Sequence, residues 1–262
     1  MTVKLVATDM DGTWLTDEKT YDHDLFMKSF KLMQEQDVKF VVASGNQFEN
    51  LQTRFPEMHK DIYYVAENGG LVAEGTNVLK TNVLSKEDLT KILDQLDKYE
   101  YPVVAAGLNY GYVTTDEMYV SMQRFYHKLK KVSSLRDVED KIFKLSVLVD
   151  SDKRLALYDD LCKNLPTIGI VSAGPETIDL ATAGLSKADG LKFLSKKLGI
   201  SPKEMIAFGD SGNDVEMLRY VGRAYVTAQA LPEAKRVANK IIGSNNDSAV
   251  QKELYEILKN NK

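Results

Sequence analysis

The sequence predicts an α/β fold, with a doubly wound, Rossmann-like parallel-sheet core and an inserted α+β domain. In the first third of the 262 residues, short continuous apolar runs alternate with helix-like stretches. Parallel strands that are covered on both faces give such runs. This alternation ends after about residue 82 and resumes near residue 185. We therefore predict a core of residues 1–82 and 185–262 that is interrupted by a domain over residues 83–184.

The first part of the core is predicted to run strand, helix, strand, helix, strand. Its strands are apolar runs at residues 4–8, 38–44 and 61–66, and its helices cover residues 22–37 and 47–54. This order implies parallel strands joined by right-handed crossovers. After the insertion come a helix at residues 186–199, a strand at 205–210, a helix from Asn213, a strand at 224–228 and closing helices.

The inserted domain is predicted to mix helices with shorter strands. Ser85 and Asp88 form a capping-box-like pair at the start of its first helix. A second helix at residues 151–164 carries the single cysteine, Cys162, for which we predict a place in the core. Its expected apolar neighbours are Leu155, Tyr158, Leu161 and Leu165. The strand candidates lie at residues 101–107, 111–115, 143–149 and 177–182.

Composition and charge narrow the class of partner. The 34 Lys and Arg residues nearly balance 38 Asp and Glu, and the net charge of -4 argues against nucleic acid. No run approaches the roughly 20 apolar residues of a membrane span, and the N-terminus lacks the apolar segment of a signal peptide. We expect a soluble, cytoplasmic protein, a monomer or weak homo-oligomer, whose partner is a small molecule rather than nucleic acid or a membrane.

Two carboxylates stand where the first strand ends, in the segment "DMDGT". Asp9 and Asp11 are two positions apart, so an extended backbone points both side chains to the same side. In open parallel sheets, ligands bind at the carboxyl ends of the strands. The alternative is a pair of turn-forming residues before Gly12.

Two further segments could bind an anion. Ser44 and Gly45 in "VVASGN" offer a hydroxyl and a backbone N–H before a helix, although ordinary turn and capping chemistry gives the same pattern. Lys187 stands in the first turn of a predicted helix, where the helix dipole disfavours a cation unless an anion compensates it. A solvated surface lysine is the alternative.

The segment "AFGDSGND" adds Asp210 and Asp214 at the end of another predicted strand. Its rival interpretation, a calcium-binding loop, lacks the glutamate that an EF-hand requires at its later position. If these segments converge, their four carboxylates need a counter-charge, which Lys187 and a divalent cation would supply. Oxygen ligands fit Mg²⁺, and the spacing of His23, His59 and His127 does not indicate zinc.

With "DMDGT", "SGN", the lysine of "GLSKADG" and "GDSGND" in this order, the chain resembles the haloacid dehalogenase (HAD) superfamily, specifically Cof-type subfamily IIB phosphatases such as bacterial sugar phosphatases. The resemblance covers essentially the whole chain. It implies a HAD core with an inserted C2B-type cap, which supplies most of the substrate discrimination.

The resemblance also implies roles for individual residues. Asp9 would be the nucleophile that forms an aspartyl phosphate, and Asp11 the general acid and base. Mg²⁺ would be held by the Asp9 side chain, the Asp11 backbone carbonyl and Asp210, with Asp214 in support outside the ligand shell. The phosphate oxygens would be held by the Met10 backbone N–H, Ser44, Gly45, Lys187 and Asn213.

Three details accompany these roles. As the general acid, Asp11 must carry a proton. We expect neighbouring carboxylates to raise its pKa in that direction, because like charges disfavour ionisation. Relatives commonly have Leu where this chain has Trp14, which we expect to pack under the cap or, less favoured, to contact substrate. In the cap, residues 109–111 are expected to form a hairpin turn, with sugar contacts by Asn109, Tyr110 and Tyr112 as the alternative.

The favoured function is therefore a Mg²⁺-dependent hydrolase of small phosphorylated metabolites, sugar phosphates above all. A phosphomutase or phosphotransferase could use the same core by passing the phosphoryl group to another hydroxyl. The third hypothesis is a module that senses phosphate without turnover. Such domains carry the phospho-acceptor after a later strand and lack a large insertion, so this hypothesis is disfavoured.

Overall fold

The computed structural model describes residues 2–174 and 176–261. The chain divides into two compact units, Met1–Lys80 with Ser186–Lys262 and Thr81–Leu185. We call them the core unit and the inserted unit. Both combine helices with a sheet, and the predicted α/β class is confirmed.

The strands of the described residues are β1 (Leu5–Thr8), β2 (Lys39–Ala43), β3 (Tyr63–Ala66), β4 (Leu71–Glu74), β5 (Asn77–Thr81), β6 (Val103–Gly107), β7 (Gly111–Val113), β8 (Leu129–Lys131), β9 (Ile142–Leu148), β10 (Ile168–Gly174), β11 (Thr177–Thr182), β12 (Met205–Gly209), β13 (Arg223–Val226) and β14 (Lys240–Ile241). The α-helices are α1 (His23–Glu35), α2 (Phe48–Thr53), α3 (Lys86–Leu96), α4 (Asp116–Met122), α5 (Arg154–Asn164), α6 (Lys187–Leu198), α7 (Val215–Tyr220), α8 (Pro232–Lys235) and α9 (Ala249–Lys259). Short 3-10 turns at Glu67–Gly69 and Gly212–Asp214 follow β3 and β12.

The core unit contains a sheet in the order β14-β13-β12-β1-β2-β3-β4-β5. Pairing is parallel from β14 to β3, and β4 runs antiparallel to β3. The chain moves outward from β1 through β2 and β3, then returns to the other side of β1 with β12. The order of strands thus reverses between β1 and β12, which is where open α/β sheets bind ligands.

Apolar side chains cover both faces of this sheet, as the continuous apolar strands predict. On one face, Leu5 and Ala7 of β1 pack in a cluster with Leu191 of α6 and Met217 of α7. On the other face lie helix α1 and an aromatic cluster.

The aromatic cluster corrects the prediction for Trp14. This side chain is completely buried, and its ring contacts Tyr21, Phe26, Phe40 and Phe55 at centroid distances of 4.8 to 6.3 Å. All of these residues belong to the core unit. The prediction that Trp14 packs under the cap or contacts substrate is therefore wrong, because the large ring fills the space between α1 and β2.

The inserted unit has a sheet in the order β10-β11-β9-β6-β7-β8, antiparallel except between β7 and β8. Helices α3 and α5 cover one face, and α4 covers part of the other. The predicted helix-capping pair of Ser85 and Asp88 is present, since the Ser85 hydroxyl accepts a hydrogen bond from the Asp88 N–H at 3.0 Å. Residues 108–110 connect the antiparallel strands β6 and β7, so the predicted hairpin is confirmed.

Helix α5 corrects the prediction for Cys162, which is exposed. The buried residues of this helix are Leu157 and Leu161, whereas Leu155 is 64% exposed. The buried stripe keeps Leu161 and Leu165 of the prediction and adds Leu157, whereas Leu155 and Cys162 share a face that points to solvent. Within the described residues, every helix is too short or too polar to cross a lipid bilayer.

Candidate functional site

Residues from three neighbouring strand ends surround the point where the strand order reverses. Asp9 follows β1 and Asp210 follows β12, and these two strands pair in parallel with Thr8 beside Phe208. The Asp9 N–H donates to the Phe208 carbonyl at 3.0 Å, which continues the ladder one residue beyond β1. Ser44 follows β2 on the other side of β1. The parallel register alone therefore brings these side chains to one edge of the sheet.

Lys187 lies at the centre of this edge and is completely buried. Its Nζ is 2.6 Å from Asp9 Oδ1 and 2.7 Å from Asp214 Oδ1. It is the first residue of α6, whose start is fixed by Asp189, since that carboxylate accepts from the N–H and hydroxyl of Ser186. The alternative of a solvated surface lysine is thus wrong for Lys187.

Asp214 is completely buried, and both of its carboxylate oxygens are engaged. Oδ1 accepts from Lys187, while Oδ2 accepts from the backbone N–H groups of Asp210 and Ser211 at 2.9 and 3.0 Å. Asp214 therefore holds Lys187 on one side and shapes the loop after β12 on the other.

Asp210 is held from the "DMDGT" segment. Thr13, which is fully buried, donates its hydroxyl to Asp210 Oδ1 at 2.8 Å, so it is the hydrogen-bonding brace that joins the two loops. Gly12 lies beneath the carboxylate with φ of 76°, and a Cβ atom there would lie 2.6 Å from Asp210 Oδ2. Glycine is required at this position by both the left-handed backbone and the close approach.

Burial dominates the electrostatics of Asp9 and Lys187. It raises the pKa of Asp9 to about 8, partly opposed by Lys187 and reinforced by the charge of Asp214. Burial alone would lower the pKa of Lys187, but the carboxylates of Asp214 and Asp9 raise it above its usual value. Burial and the charge of Asp214 also raise the pKa of Asp210, opposed by its hydrogen bond from Thr13.

These residues fit a divalent cation. Carboxylate oxygens of Asp9, Asp210 and Asp214 lie within 4.8 Å of one another. With all three ionised, Lys187 offsets one charge and two negative charges are left over. An all-oxygen donor set with surplus negative charge suits Mg²⁺, which takes one or two carboxylates and keeps several waters.

Asp11 lies apart from this group. Its side chain is 46% exposed, and Lys19 Nζ contacts Oδ1 at 2.6 Å. On the other oxygen, Asn46 Nδ2 donates to Oδ2 at 2.8 Å. Burial opposes the effect of these contacts, but hydrogen bonds from Lys19 and Asn46 lower the pKa of Asp11. The expectation that neighbouring carboxylates raise its pKa is wrong, because Asp11 contacts a cation and an amide instead.

Ser44, Gly45 and Asn213 are linked through a residue that the sequence interpretation did not single out. Asn68 donates its N–H to the Ser44 carbonyl at 3.0 Å and accepts from Asn213 Nδ2 at 3.1 Å. A Cβ atom at Gly45 would lie 3.1 Å from the Asn68 amide. The backbone of Glu67, Asn68 and Gly69 is left-handed, with φ of 50°, 53° and 99°. The Asn-Gly-Gly sequence after β3 is the signal that could have pointed to this turn.

Met10 completes the set of predicted residues. It is fully buried, and its carbonyl accepts from the Leu15 N–H at 2.8 Å, which turns the chain after β1. Gly45 precedes α2 by three residues, since this helix begins at Phe48. Asn213 lies in the 3-10 turn before α7, and its side-chain oxygen accepts from Ser211 Oγ at 2.7 Å.

At the reversal point of a doubly wound sheet, a buried lysine can neutralise a bound phosphate, and the carboxylates around it can hold the accompanying cation, as phosphoryl transfer requires. The fold and site thus define a class of phosphoryl-group enzymes. The chain belongs to the haloacid dehalogenase-like hydrolases, which match residues 6–254.

Individual relatives and solved structures support the assignment to this family. The chain is 37% identical over 265 residues to the 5-amino-6-(5-phospho-D-ribitylamino)uracil phosphatase YbjI of Escherichia coli (strain K12), covering 99% of this chain and 97% of that protein. The structure of SMU.1108c from Streptococcus mutans UA159 is 30% identical with a TM-score of 0.88, over 98% of this chain and 100% of that one. The HAD subclass IIB sugar phosphatase BT4131 shares the fold at 19% identity and a TM-score of 0.80, over 97% and 99%. The predicted superfamily, its Cof-type branch and the class of phosphoric monoester hydrolases are confirmed.

Proposed function

We propose that this protein is a Mg²⁺-dependent phosphatase that hydrolyses small phosphorylated metabolites, most readily sugar or polyol phosphates, through an aspartyl phosphate. The observation that carries the proposal is the buried contact of Lys187 with Asp9, beside Asp210 at the reversal point of the sheet. A buried carboxylate paired in this way has a fixed position. An incoming cation can balance its negative charge, and an incoming phosphate can balance the positive charge of Lys187.

In the first step, an Asp9 carboxylate oxygen attacks phosphorus in line with the ester oxygen. The bond between phosphorus and the ester oxygen breaks, and the proton on Asp11 moves to that oxygen, which leaves as an alcohol. In the second step, water attacks the same phosphorus and gives its proton to the Asp11 carboxylate. The bond between phosphorus and Asp9 breaks, which releases inorganic phosphate and restores both aspartates.

Asp11 must be protonated when substrate is bound, although Lys19 and Asn46 lower its pKa in this structure. A bound phosphate dianion raises the pKa of a nearby carboxyl, because like charges disfavour ionisation. Protonation of Asp11 is therefore coupled to the arrival of the group that needs the proton.

We propose the remaining roles as the family resemblance implies them. Lys187, the Ser44 hydroxyl, Asn213 and the N–H groups of Met10 and Gly45 would hold the phosphate oxygens, with Asn68 fixing the loops that present Ser44 and Asn213. Asp9, Asp210 and the Asp11 carbonyl would hold Mg²⁺, whereas Asp214, with both oxygens engaged, would support Lys187 and the loop. Bound there, Mg²⁺ would supply positive charge to the phosphate oxygens in the transition state.

The substrate class rests on a relative and on the inserted unit. The Escherichia coli relative is named for a substrate that carries phosphate on a ribityl chain, a polyol. We propose that the inserted unit, predicted over residues 83–184 and found at Thr81–Leu185, acts as the cap that discriminates among leaving groups.

A substrate panel tests the proposal. Phosphorylated sugars, polyols, nucleotides and cofactors are incubated with the protein and Mg²⁺, and inorganic phosphate is measured over many turnovers. Asp9→Asn is the blank, and Asp159→Asn on an exposed surface of α5 is the matched control. We expect release from at least one sugar or polyol phosphate, lost in Asp9→Asn and kept in Asp159→Asn. Equal turnover by Asp9→Asn overturns the site, isomerised sugar phosphate without free phosphate indicates a mutase, and a single phosphate per chain indicates a sensor.

A further inference from the structure

We infer that Lys19 and Asn46 are positioning residues that hold the Asp11 carboxylate in line with the leaving oxygen. The inference rests on the proposed function, in which Asp11 passes its proton to that oxygen. It assigns a role in this reaction to Lys19, which lies outside the four sequence segments, and to Asn46, the last residue of "SGN", which had been given no role.

Each carboxylate oxygen of Asp11 accepts a hydrogen bond from a different residue. Lys19 Nζ lies 2.6 Å from Oδ1, and Asn46 Nδ2 lies 2.8 Å from Oδ2. A donor on each oxygen fixes the rotation of the carboxylate about its bond to Cβ, which a single contact leaves open. Each oxygen can accept more than one hydrogen bond, so a protonated carboxyl can keep these partners and still donate to substrate.

Asp11 needs such support because its environment is open. Its side chain is 46% exposed, in contrast to the fully enclosed Lys187 and Asp214. Proton transfer in the transition state requires the acid within hydrogen-bonding reach of the leaving oxygen. An exposed carboxylate samples several rotamers, and confining it before substrate arrives lowers the entropic cost of the productive geometry.

Lys19 is itself held in place. Its backbone is left-handed with φ of 61°, in a turn where Thr16 N–H donates to the Thr20 carbonyl at 2.8 Å and Lys19 N–H donates to the Thr16 carbonyl at 2.9 Å. Arg54 Nη1 donates to the Lys19 carbonyl at 3.1 Å. A strained backbone that neighbouring bonds maintain is typical of functional segments.

Asn46 connects Asp11 to the proposed phosphate loop. Its N–H donates to the Ser44 hydroxyl at 3.1 Å, and its carbonyl accepts from the Glu67 N–H at 3.2 Å. The side chain then extends to Asp11. The acid and the phosphate-binding hydroxyl are therefore connected through Asn46, which sets the position of the Asp11 carboxylate relative to the Ser44 hydroxyl.

The experiment compares two leaving groups, because only one of them needs the acid. An alkyl phosphate from the active substrates of the panel releases a basic alkoxide, whereas 4-nitrophenyl phosphate releases a stable phenolate without protonation. The ratio of kcat/KM for the two substrates reports the step that forms the aspartyl phosphate. A variant that only weakens the fold lowers both values together and leaves the ratio unchanged.

The variants are Lys19→Met and Asn46→Ala, with Lys19→Arg as the conservative rescue. We expect each of the first two to lower kcat/KM for the alkyl phosphate about tenfold and that for the aryl phosphate less than about twofold. Lys19→Arg restores most of the loss. Lys4→Met is the matched control, since Lys4 forms an ion pair with Glu204 at 2.7 Å, is 50% exposed like Lys19 at 52%, and precedes the opposite end of β1.

Asp11→Asn separates this inference from the proposed function. If Asp11 is the acid, kcat/KM of this variant falls by about 10²- to 10⁴-fold for the alkyl phosphate and far less for the aryl phosphate. Should Asp11→Asn affect both substrates equally, the assignment of Asp11 is wrong. Should Asp11→Asn show the selective loss while Lys19→Met and Asn46→Ala lower both substrates equally, or neither, the positioning role is wrong.

Discussion

Lys187 and Asp214 form an ion pair in which both side chains are completely buried, with Nζ 2.7 Å from Oδ1. Lys187 bonds Asp9 as well, and the backbone amides after β12 bond the other oxygen of Asp214. The pair thus ties α6, β1 and the loop after β12 to one point. Each partner satisfies the other's charge, so removing one of them leaves a buried charge without compensation.

Lys187→Met should therefore destabilise the protein severely. We expect a loss of about 3 to 5 kcal/mol in the free energy of unfolding, because two buried carboxylates lose their cation. Urea denaturation followed by circular dichroism measures it. Lys4→Met, which breaks an exposed pair of the same core unit, should cost no more than about 1 kcal/mol. The double variant Lys187→Met/Asp214→Asn should be more stable than Lys187→Met alone, and the opposite order would contradict the charge argument.

Mg²⁺ binding should depend on Asp210 more than on Asp214. Asp210 accepts a hydrogen bond from Thr13 on Oδ1, whereas Asp214 accepts from Lys187 on Oδ1 and from two backbone N–H groups on Oδ2. We expect Asp210→Asn to abolish binding in calorimetric titration and Asp214→Asn to weaken it by about 10- to 100-fold. Asp159→Asn should bind like the unmodified protein. Greater loss in Asp214→Asn than in Asp210→Asn would make Asp214 the direct ligand.

The metal-free protein should lose stability as the pH rises from about 4 to about 8. Burial raises the pKa of Asp9 from 3.8 to about 8, so the folded state holds a proton there that the unfolded chain releases within this window. The free energy of unfolding therefore falls with rising pH wherever the folded state binds the extra proton. Thermal unfolding in a chelator should show this slope, and Asp9→Asn should reduce it. With Mg²⁺ in excess the slope should diminish, because the cation stabilises the ionised carboxylate. An unchanged slope in Asp9→Asn would assign the effect to other groups.

The sequence was sufficient for β1, β2, β3, β12 and β13 of the core sheet, although it did not predict β4, β5 or β14. It was also sufficient for the carboxylates, because parallel register carries Asp9, Asp210 and Ser44 to the same edge without further information. It could not predict Lys19 or Asn68, since their contacts depend on left-handed turns that bring distant segments together. The pKa of Asp11 was predicted in the wrong direction for the same reason. Its partners are a lysine from the following turn and an amide from another strand end.

Cys162 shows a second limit, since helical periodicity left the orientation of α5 ambiguous between neighbouring faces. Its exposure predicts that one thiol per native chain reacts with a disulfide reagent such as DTNB without unfolding. Cys162→Ser should change the free energy of unfolding by less than about 0.5 kcal/mol, as exposed substitutions usually do. A thiol that reacts only in denaturant would contradict the exposed position.

Trp14 should contribute to stability and not to substrate recognition, because it is completely buried among four aromatic rings of the core unit. We expect Trp14→Ala to cost about 3 to 5 kcal/mol in the free energy of unfolding, and Trp14→Phe considerably less, since a ring still fills part of the space. As the single tryptophan, Trp14 also reports unfolding of the parent protein by its fluorescence, while circular dichroism follows the variants. At temperatures where Trp14→Phe is folded, its kcat/KM should lie within about twofold of the parent on the sugar and polyol phosphate panel. A large change in substrate preference at unchanged stability would mean that Trp14 shapes the binding site.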